Sequence, residues 1–366
     1  MPQLTLPGLI DVHVHLRVPG GEQKETYATG TAAALAGGVT TILDMPNTSP
    51  PTTDASRLAA KRALAAAEAR CDVGLFAGAS TDNVDTVFRL AEEVCALKIY
   101  VSTTFGPLRV ADWALLEAHI SHWPAHKPIV VHAEGPLLPR VLLLGARYGK
   151  HIHVAHVALQ AEIEAIITAR ERGAYITCEV TPHHLVLTVD DIRHLGPWGD
   201  VRPKLASPAD RAALWHHLPA IDCIATDHAP HTIAEKTSAN PPPGLPGLET
   251  MLPLLLTAVD DGRLELARLI ELTSTNPARI FNLPRDPRTS VEVEVGPRYR
   301  LPAQGWQTKV DWTPFAGYEV AGRVLRTTLR GTHVYEAGHV LASPGSGRIL
   351  FGQQVSTSTG RAKRYG

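Results

Sequence analysis

Short apolar, β-rich runs alternate with amphipathic stretches from the N-terminus to about residue 260. Strand patterns cover 8–14, 38–44, 72–77, 95–101, 128–133, 151–157, 174–180 and 221–226. Helical patterns fill 26–36, 54–69, 83–94, 110–121, 136–148, 160–172 and 207–217, and one more, 248–259, follows the last strand. A strand, a helix and a second strand in series make a crossover between parallel neighbours. Eight such units are the number that closes a parallel sheet on itself. An open doubly wound sheet lacks support, because no G-x-G-x-x-G follows the first strand and no G-x-x-x-x-G-K-S/T occurs. The expected fold class is therefore α/β, a TIM-type (β/α)8 barrel over 9–288.

The pattern changes near residue 290. Val291, Val293 and Val295 alternate with acids, and 320–335 reads as strands split by Gly322, Gly331 and Gly338. This predicts a small β-rich subdomain built from 1–8 and 289–355, closed by the loop 343–347, with a mobile polar tail over 356–366. A formal net charge of -1 gives no electrostatic reason to propose nucleic acid or an anionic membrane as partner. No apolar run reaches spanning length, and no secretory leader is visible. Cys71, Cys95, Cys178 and Cys223 form no C-x-x-C pair, so free thiols in a reducing, cytoplasmic setting are expected. Met1 and the short tail predict a free-standing protein.

In such barrels chemistry gathers at the C-terminal ends of the strands. His13 and His15 end the first run, and alternation sends both to one face. Arg17 follows on the same parity. Lys98 lies near the end of the fourth run, His132 ends the fifth, His156 the sixth, and Asp227 the eighth. Neutral imidazoles and a carboxylate are suitable donors for zinc. Lysine joins such a set only after CO2 adds to its amine as a carbamate; a barrel-end salt bridge is the plainer reading of Lys98 in isolation. His156 is preferred over His153 as a ligand because it lies nearer the strand end, and His151 and His153 are expected to pack behind the barrel. His183 and His184 suit either a supporting or a substrate-facing place. His119, His122, His126, His216 and His217 are expected on the surface.

Six ordered segments also carry a family resemblance. They are His13-Val14-His15-Leu16-Arg17, Met45-Pro46-Asn47-Thr48, Leu97-Lys98-Ile99-Tyr100, His132-Ala133-Glu134, Glu179-Val180-Thr181-Pro182-His183-His184 and Thr226-Asp227-His228-Ala229-Pro230-His231. With Pro241 to Thr250 and Asn276 to Phe281, they resemble the dihydroorotases of the amidohydrolase superfamily, and most of all the dihydroorotase domain of the multifunctional CAD polypeptide. The likeness spans nearly the whole chain.

That resemblance implies two zinc ions. His13, His15 and Asp227 would hold one, His132 and His156 the other, and carboxylated Lys98 would bridge them. It implies a substrate carboxylate bound by Arg17, Asn47 and His231, with Arg202 a further substrate-binding residue. Backbone around Pro243 and Gly244 would cradle the ring, and Thr104 and Phe105 would belong to a loop that closes over it. Glu179 stands where the CAD-type domain carries an additional zinc. Ala155, in place of that domain's Cys, weakens the case for a third metal, and Val18 replaces a usual Glu. The implied reaction is the reversible cyclisation of N-carbamoyl-L-aspartate to L-dihydroorotate in pyrimidine (UMP) biosynthesis, with Asp227 moving the proton. The implied partners are the small-molecule substrate and either a second copy in a homodimer or aspartate transcarbamoylase. The alternatives are another cyclic amidase (allantoinase, hydantoinase or dihydropyrimidinase) and an inactive dihydroorotase-like scaffold domain.

Overall fold

A computed structural model of the chain describes residues 3–352. The tail 356–366 lies outside the described residues. After β1 (Gln3–Pro7), eight strands follow in order around one sheet: β2 (Leu9–Val14), β3 (Val39–Asp44), β4 (Asp72–Gly78), β5 (Ala96–Tyr100), β6 (Ile129–His132), β7 (Ile152–Val154), β8 (Ile176–Val180) and β9 (Cys223–Ile224). Each neighbouring pair is parallel. Every residue of β2 to β9 is buried, as expected of strands covered on both faces. The ring is joined at its top by a parallel bridge between Val14 and His228, where the His15 N–H donates to the His228 carbonyl at 2.8 Å. The expected barrel is therefore present, with β9 reduced to two residues.

Side-chain caps start several of the outer helices. Asp54 accepts the Arg57 N–H ahead of Ala55–Glu68, and Ser207 and Asp210 form a capping box ahead of Pro208–His216. The stretch 83–94 does not form the expected full helix. Only Val87–Glu93 coils, as a 3-10 segment. The Asn83 side chain accepts from Ser80 N and donates to the Thr53 and Gly78 carbonyls, which commits the start of the stretch to a turn.

The second sheet is antiparallel, in the order β1, β10 (Ser290–Arg300), β11 (Glu319–Leu329), β12 (Thr332–Glu336), β13 (His339–Val340). Val291, Val293 and Val295 face inward. A Cβ at Gly322 would come within 2.4 Å of Leu256, so glycine there lets β11 lie directly on the helix Met251–Asp260. The loop 343–347 does not close this sheet. It leads to β14 (Ile349–Leu350), which pairs in parallel with β4 and returns the chain to the barrel wall. Between β10 and β11, the segment 301–318 folds over the barrel mouth. Its Val310, Trp312 and Phe315 pack with Leu187, Val201, Leu245 and Leu254.

Candidate active site

The ends of β2, β5, β6, β7 and β9 meet at one mouth. A single cavity there is lined by His13, His15, Arg17, Asn47, Tyr100, Thr104, Phe105, His132, His156, Arg202, Asp227, Ala229, Pro243 and Gly244. Lys98 and His231 lie immediately behind that lining: Lys98 Nζ is 5.0 Å from the Tyr100 ring centre, and His231 Nε2 is 3.1 Å from Arg17 Nη2. A larger cavity of about 520 Å3 opens at the opposite end of the barrel beside Pro7, Gly8, Thr40 and Pro284, and none of these histidines reaches it. Three residues of the mouth hold left-handed backbone although none is glycine: Arg17 (φ 65°), His156 (φ 36°) and Asp227 (φ 47°). Such conformations cost about 1–3 kcal/mol each and persist where the surroundings enforce them, commonly at functional sites.

The hydrogen-bond partners decide which ring nitrogens carry protons. His13 Nδ1 donates to Glu179, and His15 Nδ1 donates to Asn47 Oδ1 at 2.8 Å. Both Nε2 atoms are thereby left as lone pairs. They face the same Asp227 Oδ1, at 3.3 Å from His13 and 3.1 Å from His15. Three acceptors thus converge with no proton between them, which is the donor chemistry of a cation site. Opposite, His132 Nε2 donates to Glu134 at 2.9 Å, so its Nδ1 lone pair faces His156 Nε2 at 2.8 Å. Burial pushes His132 and His156 below the ordinary histidine range, so both are neutral, as metal donors must be. Ligand atoms of His13, His156 and Asp227 lie within 4.8 Å of one another. Lys98 Nζ is fully buried and makes no hydrogen bond among the described residues, and the same holds for His156 Nδ1. Burial brings the Lys98 amine down to about 8, against the pull of Glu179 and Asp227. His13, His156 and Asp227 can hold a metal ion.

Beside the donors lies a cationic wall. Arg17 is 8% exposed and, among the described residues, makes no ion pair; its Nε donates to the Pro230 carbonyl at 3.2 Å. Asn47 Nδ2 donates to the Phe105 carbonyl at 3.0 Å, tying the loop of Thr104 and Phe105 to the end of β3. The Phe105 ring lies edge-on to His231, with centroids 5.0 Å apart. His231 Nε2 donates to the Pro243 carbonyl at 3.0 Å. Gly244 has φ 131°, and a Cβ there would sit 2.5 Å from the Ala229 carbonyl, so only glycine lets this loop close on the strand end. Arg202 is held by Asp200 at 2.5 Å.

Several groups that brace the site carry no local sequence signal. Asp11 accepts from His13 N and Thr226 N, each at 3.1 Å, and from Thr226 Oγ1 at 2.5 Å, which locks the ends of β2 and β9 together. Asp44 accepts from Leu16 N at 3.0 Å and from the Tyr27 hydroxyl at 2.8 Å. Behind Glu179, His153 Nε2 donates to it at 3.1 Å, and the Thr177 hydroxyl links His153 and His151 at 2.8 Å each. His184 bonds the Thr181 hydroxyl and the Pro203 carbonyl, a supporting place, and His183 packs against it. His119, expected on the surface, is instead buried, because its Nε2 donates to the Ser80 carbonyl at 2.8 Å.

The chain matches the amidohydrolase family over residues 4–286. It is 49% identical to the multifunctional protein CAD of Squalus acanthias over 94% of its own length but only 15% of that protein's. It is 36% identical to the dihydroorotase of Pyrococcus abyssi, covering 95% of this chain and 87% of that one. Among solved structures, the L-hydantoinase of Arthrobacter aurescens superposes with a TM-score of 0.90 at 26% identity, over 95% of this chain and 88% of that one. An inactive dihydroorotase-like domain of a Chaetomium thermophilum CAD-like protein superposes with a TM-score of 0.81 at 28% identity, over 96% and 100%.

Proposed function

Because the chain belongs to the amidohydrolase family, we propose that it is a zinc-dependent dihydroorotase interconverting N-carbamoyl-L-aspartate and L-dihydroorotate in de novo pyrimidine synthesis. The observation that carries this reading is Arg17: a buried guanidinium with no ion-pair partner among the described residues, at the cavity wall next to the converging donors. An unpaired buried cation is costly, and an anionic substrate group relieves that cost. Hydantoins and dihydropyrimidines carry no carboxylate to meet it, so the likeness to a hydantoinase is read as one of fold. An inactive scaffold is disfavoured because His13, His15, Lys98, His132, His156 and Asp227 are all in place.

In this proposal His13, His15 and Asp227 hold one zinc, His132 and His156 the other, and Lys98, as its carbamate, serves both. The metal pair supplies Lewis-acid activation of water and of the ring amide carbonyl. Asp227 turns Oδ1 to the two histidines and leaves Oδ2 to take a proton from the attacking water and deliver it to the departing ring nitrogen. Arg17, Asn47, Arg202 and His231 bind the substrate, and the backbone at Pro243 and Gly244 cradles the ring. Thr104 and Phe105 cover it. Glu179 is read as the group that orients His13 rather than as a third metal ligand.

The barrel over 9–288 is the catalytic unit here, and 1–8 with 289–355 supports its mouth. The substrate is the product of aspartate carbamoylation, so a cytoplasmic homodimer or a complex with aspartate transcarbamoylase completes the proposal. It is tested by loading the chain with zinc and bicarbonate and comparing dihydroorotate with 5,6-dihydrouracil. The expected kcat/KM ratio favours dihydroorotate by on the order of 100-fold, the worth of a charge-assisted contact. Equal or reversed preference overturns it.

A further inference from the structure

Lys24 lies in the turn before the first helix and is no part of the cavity lining, yet it is buried against the site. Its Nζ stands 3.0 Å from Glu235 Oε1, 3.2 Å from His231 Nδ1 and 4.7 Å from the centre of the Phe105 ring. An ammonium group can only donate, so His231 Nδ1 must accept and the ring proton must sit on Nε2. That Nε2–H points to the Pro243 carbonyl at 3.0 Å, and Arg17 Nη2 stands 3.1 Å from the same nitrogen. The one Nε2–H is thus held by the Pro243 carbonyl just behind the cavity wall, beside the Arg17 guanidinium; a carboxylate bound at Arg17 would accept from the guanidinium and draw the Nε2–H from Pro243. Had Nε2 been the bare nitrogen, His231 would repel an anion there and bond Arg17 instead. Burial and the charges of Arg17, Lys24 and Lys236 keep the imidazole neutral, far below its ordinary range, so its tautomer rather than its charge is what Lys24 controls. The Trp312 indole donates to the His231 carbonyl at 2.8 Å, which fixes the backbone while Lys24 fixes the ring.

We propose that Lys24 is a positioning residue that holds His231 in the Nε2–H tautomer and so sets the preference for a ring bearing a carboxylate. This rests on the carboxylate-binding site proposed above.

The test uses the full-length, zinc-loaded chain with 15N-labelled histidine, the His231 signals being assigned by their loss in His231→Gln. The wild type is expected to show a protonated Nε2 and a bare Nδ1. In Lys24→Met that pattern should be lost. KM for dihydroorotate should rise about tenfold, with kcat within about threefold and metal content unchanged. Adding Lys24→Met to His231→Gln should change KM no further, since the effect runs through His231. Glu235→Gln, which leaves Lys24 without its carboxylate, should move the spectrum the same way by less, and it keeps the question decidable if Lys24→Met does not fold. An unchanged His231 spectrum in both variants, or fully additive KM effects, overturns the inference. If the wild type does not turn over dihydroorotate, the proposed function fails, while the tautomer spectrum still decides the role of Lys24.

Discussion

Lys61 Nζ lies 2.9 Å from Asp44 Oδ2, and both side chains are sealed from solvent. The same ammonium donates to the Met45 carbonyl at 2.6 Å, and the same carboxylate receives the Leu16 N–H. This one pair therefore braces both loops that present substrate-binding groups, Leu16-Arg17 and Met45-Pro46-Asn47. Removing one partner of a buried ion pair strands the other charge and costs about 3–5 kcal/mol. Lys61→Met is expected to lower stability by about that amount in urea melts. A second change, Asp44→Asn, should recover part of it. A loss below about 1 kcal/mol would show that the pair does not support the mouth.

Arg17→Gln removes the cation and keeps a hydrogen-bonding side chain. Loss of a charge-assisted contact of about 1.5–3 kcal/mol predicts KM for dihydroorotate raised by roughly 10- to 150-fold. Turnover at saturation should change much less, because Arg17 touches the carboxylate and not the scissile bond. Steady-state kinetics decide it, and an unchanged KM refutes the assignment.

Asp227→Asn keeps the shape of the side chain but cannot take a proton. General acid–base catalysis is worth about 10^2–10^4-fold, so kcat should fall by that factor. Binding of carbamoyl-aspartate, read by calorimetry on metal-replete protein, should persist. Near-normal turnover would remove Asp227 from the proton path.

Much of this arrangement was legible in the sequence. Strand order and the inward parity of His13 and His15 follow from period-2 alternation, and His132, His156 and Asp227 stand out as polar residues ending apolar runs. Lys24, Lys61 and Asp11 were not legible, because nothing local separates them from solvated charges. Lys61 sits in an Ala-rich helix that reads as an exposed face, and its partner Asp44 is 17 residues away on β3. Glu179 was visible as a site residue, but its bond to His153 depends on how β7 and β8 lie together. The brevity of β9 was also hidden, since Ile221 to Thr226 keeps a strand-like composition while the bridge at His228 does the pairing.

Lys98 gives a pH dependence. Carbamate formation needs the neutral amine, and burial lowers the Lys98 amine from its usual 10.5 to about 8. About a tenth is then neutral at pH 7, against roughly 3 in 10,000 for a free lysine. At fixed dissolved CO2, the rate at which metal-free protein is reactivated by zinc should rise about tenfold per unit at low pH and level off above about 8. A rate still climbing steeply at pH 10 would mean that Lys98 titrates as an ordinary surface lysine.

The most direct measurement is an anomalous-scattering crystal structure of the zinc-loaded chain with carbamoyl-aspartate bound. The account predicts two metal peaks, one on His13, His15 and Asp227 and one on His132 and His156, with a carboxylated Lys98 touching both and the α-carboxylate of the ligand against Arg17 and His231. A single peak, an unmodified Lys98 bound to neither ion, or a ligand carboxylate turned away from Arg17 would contradict it.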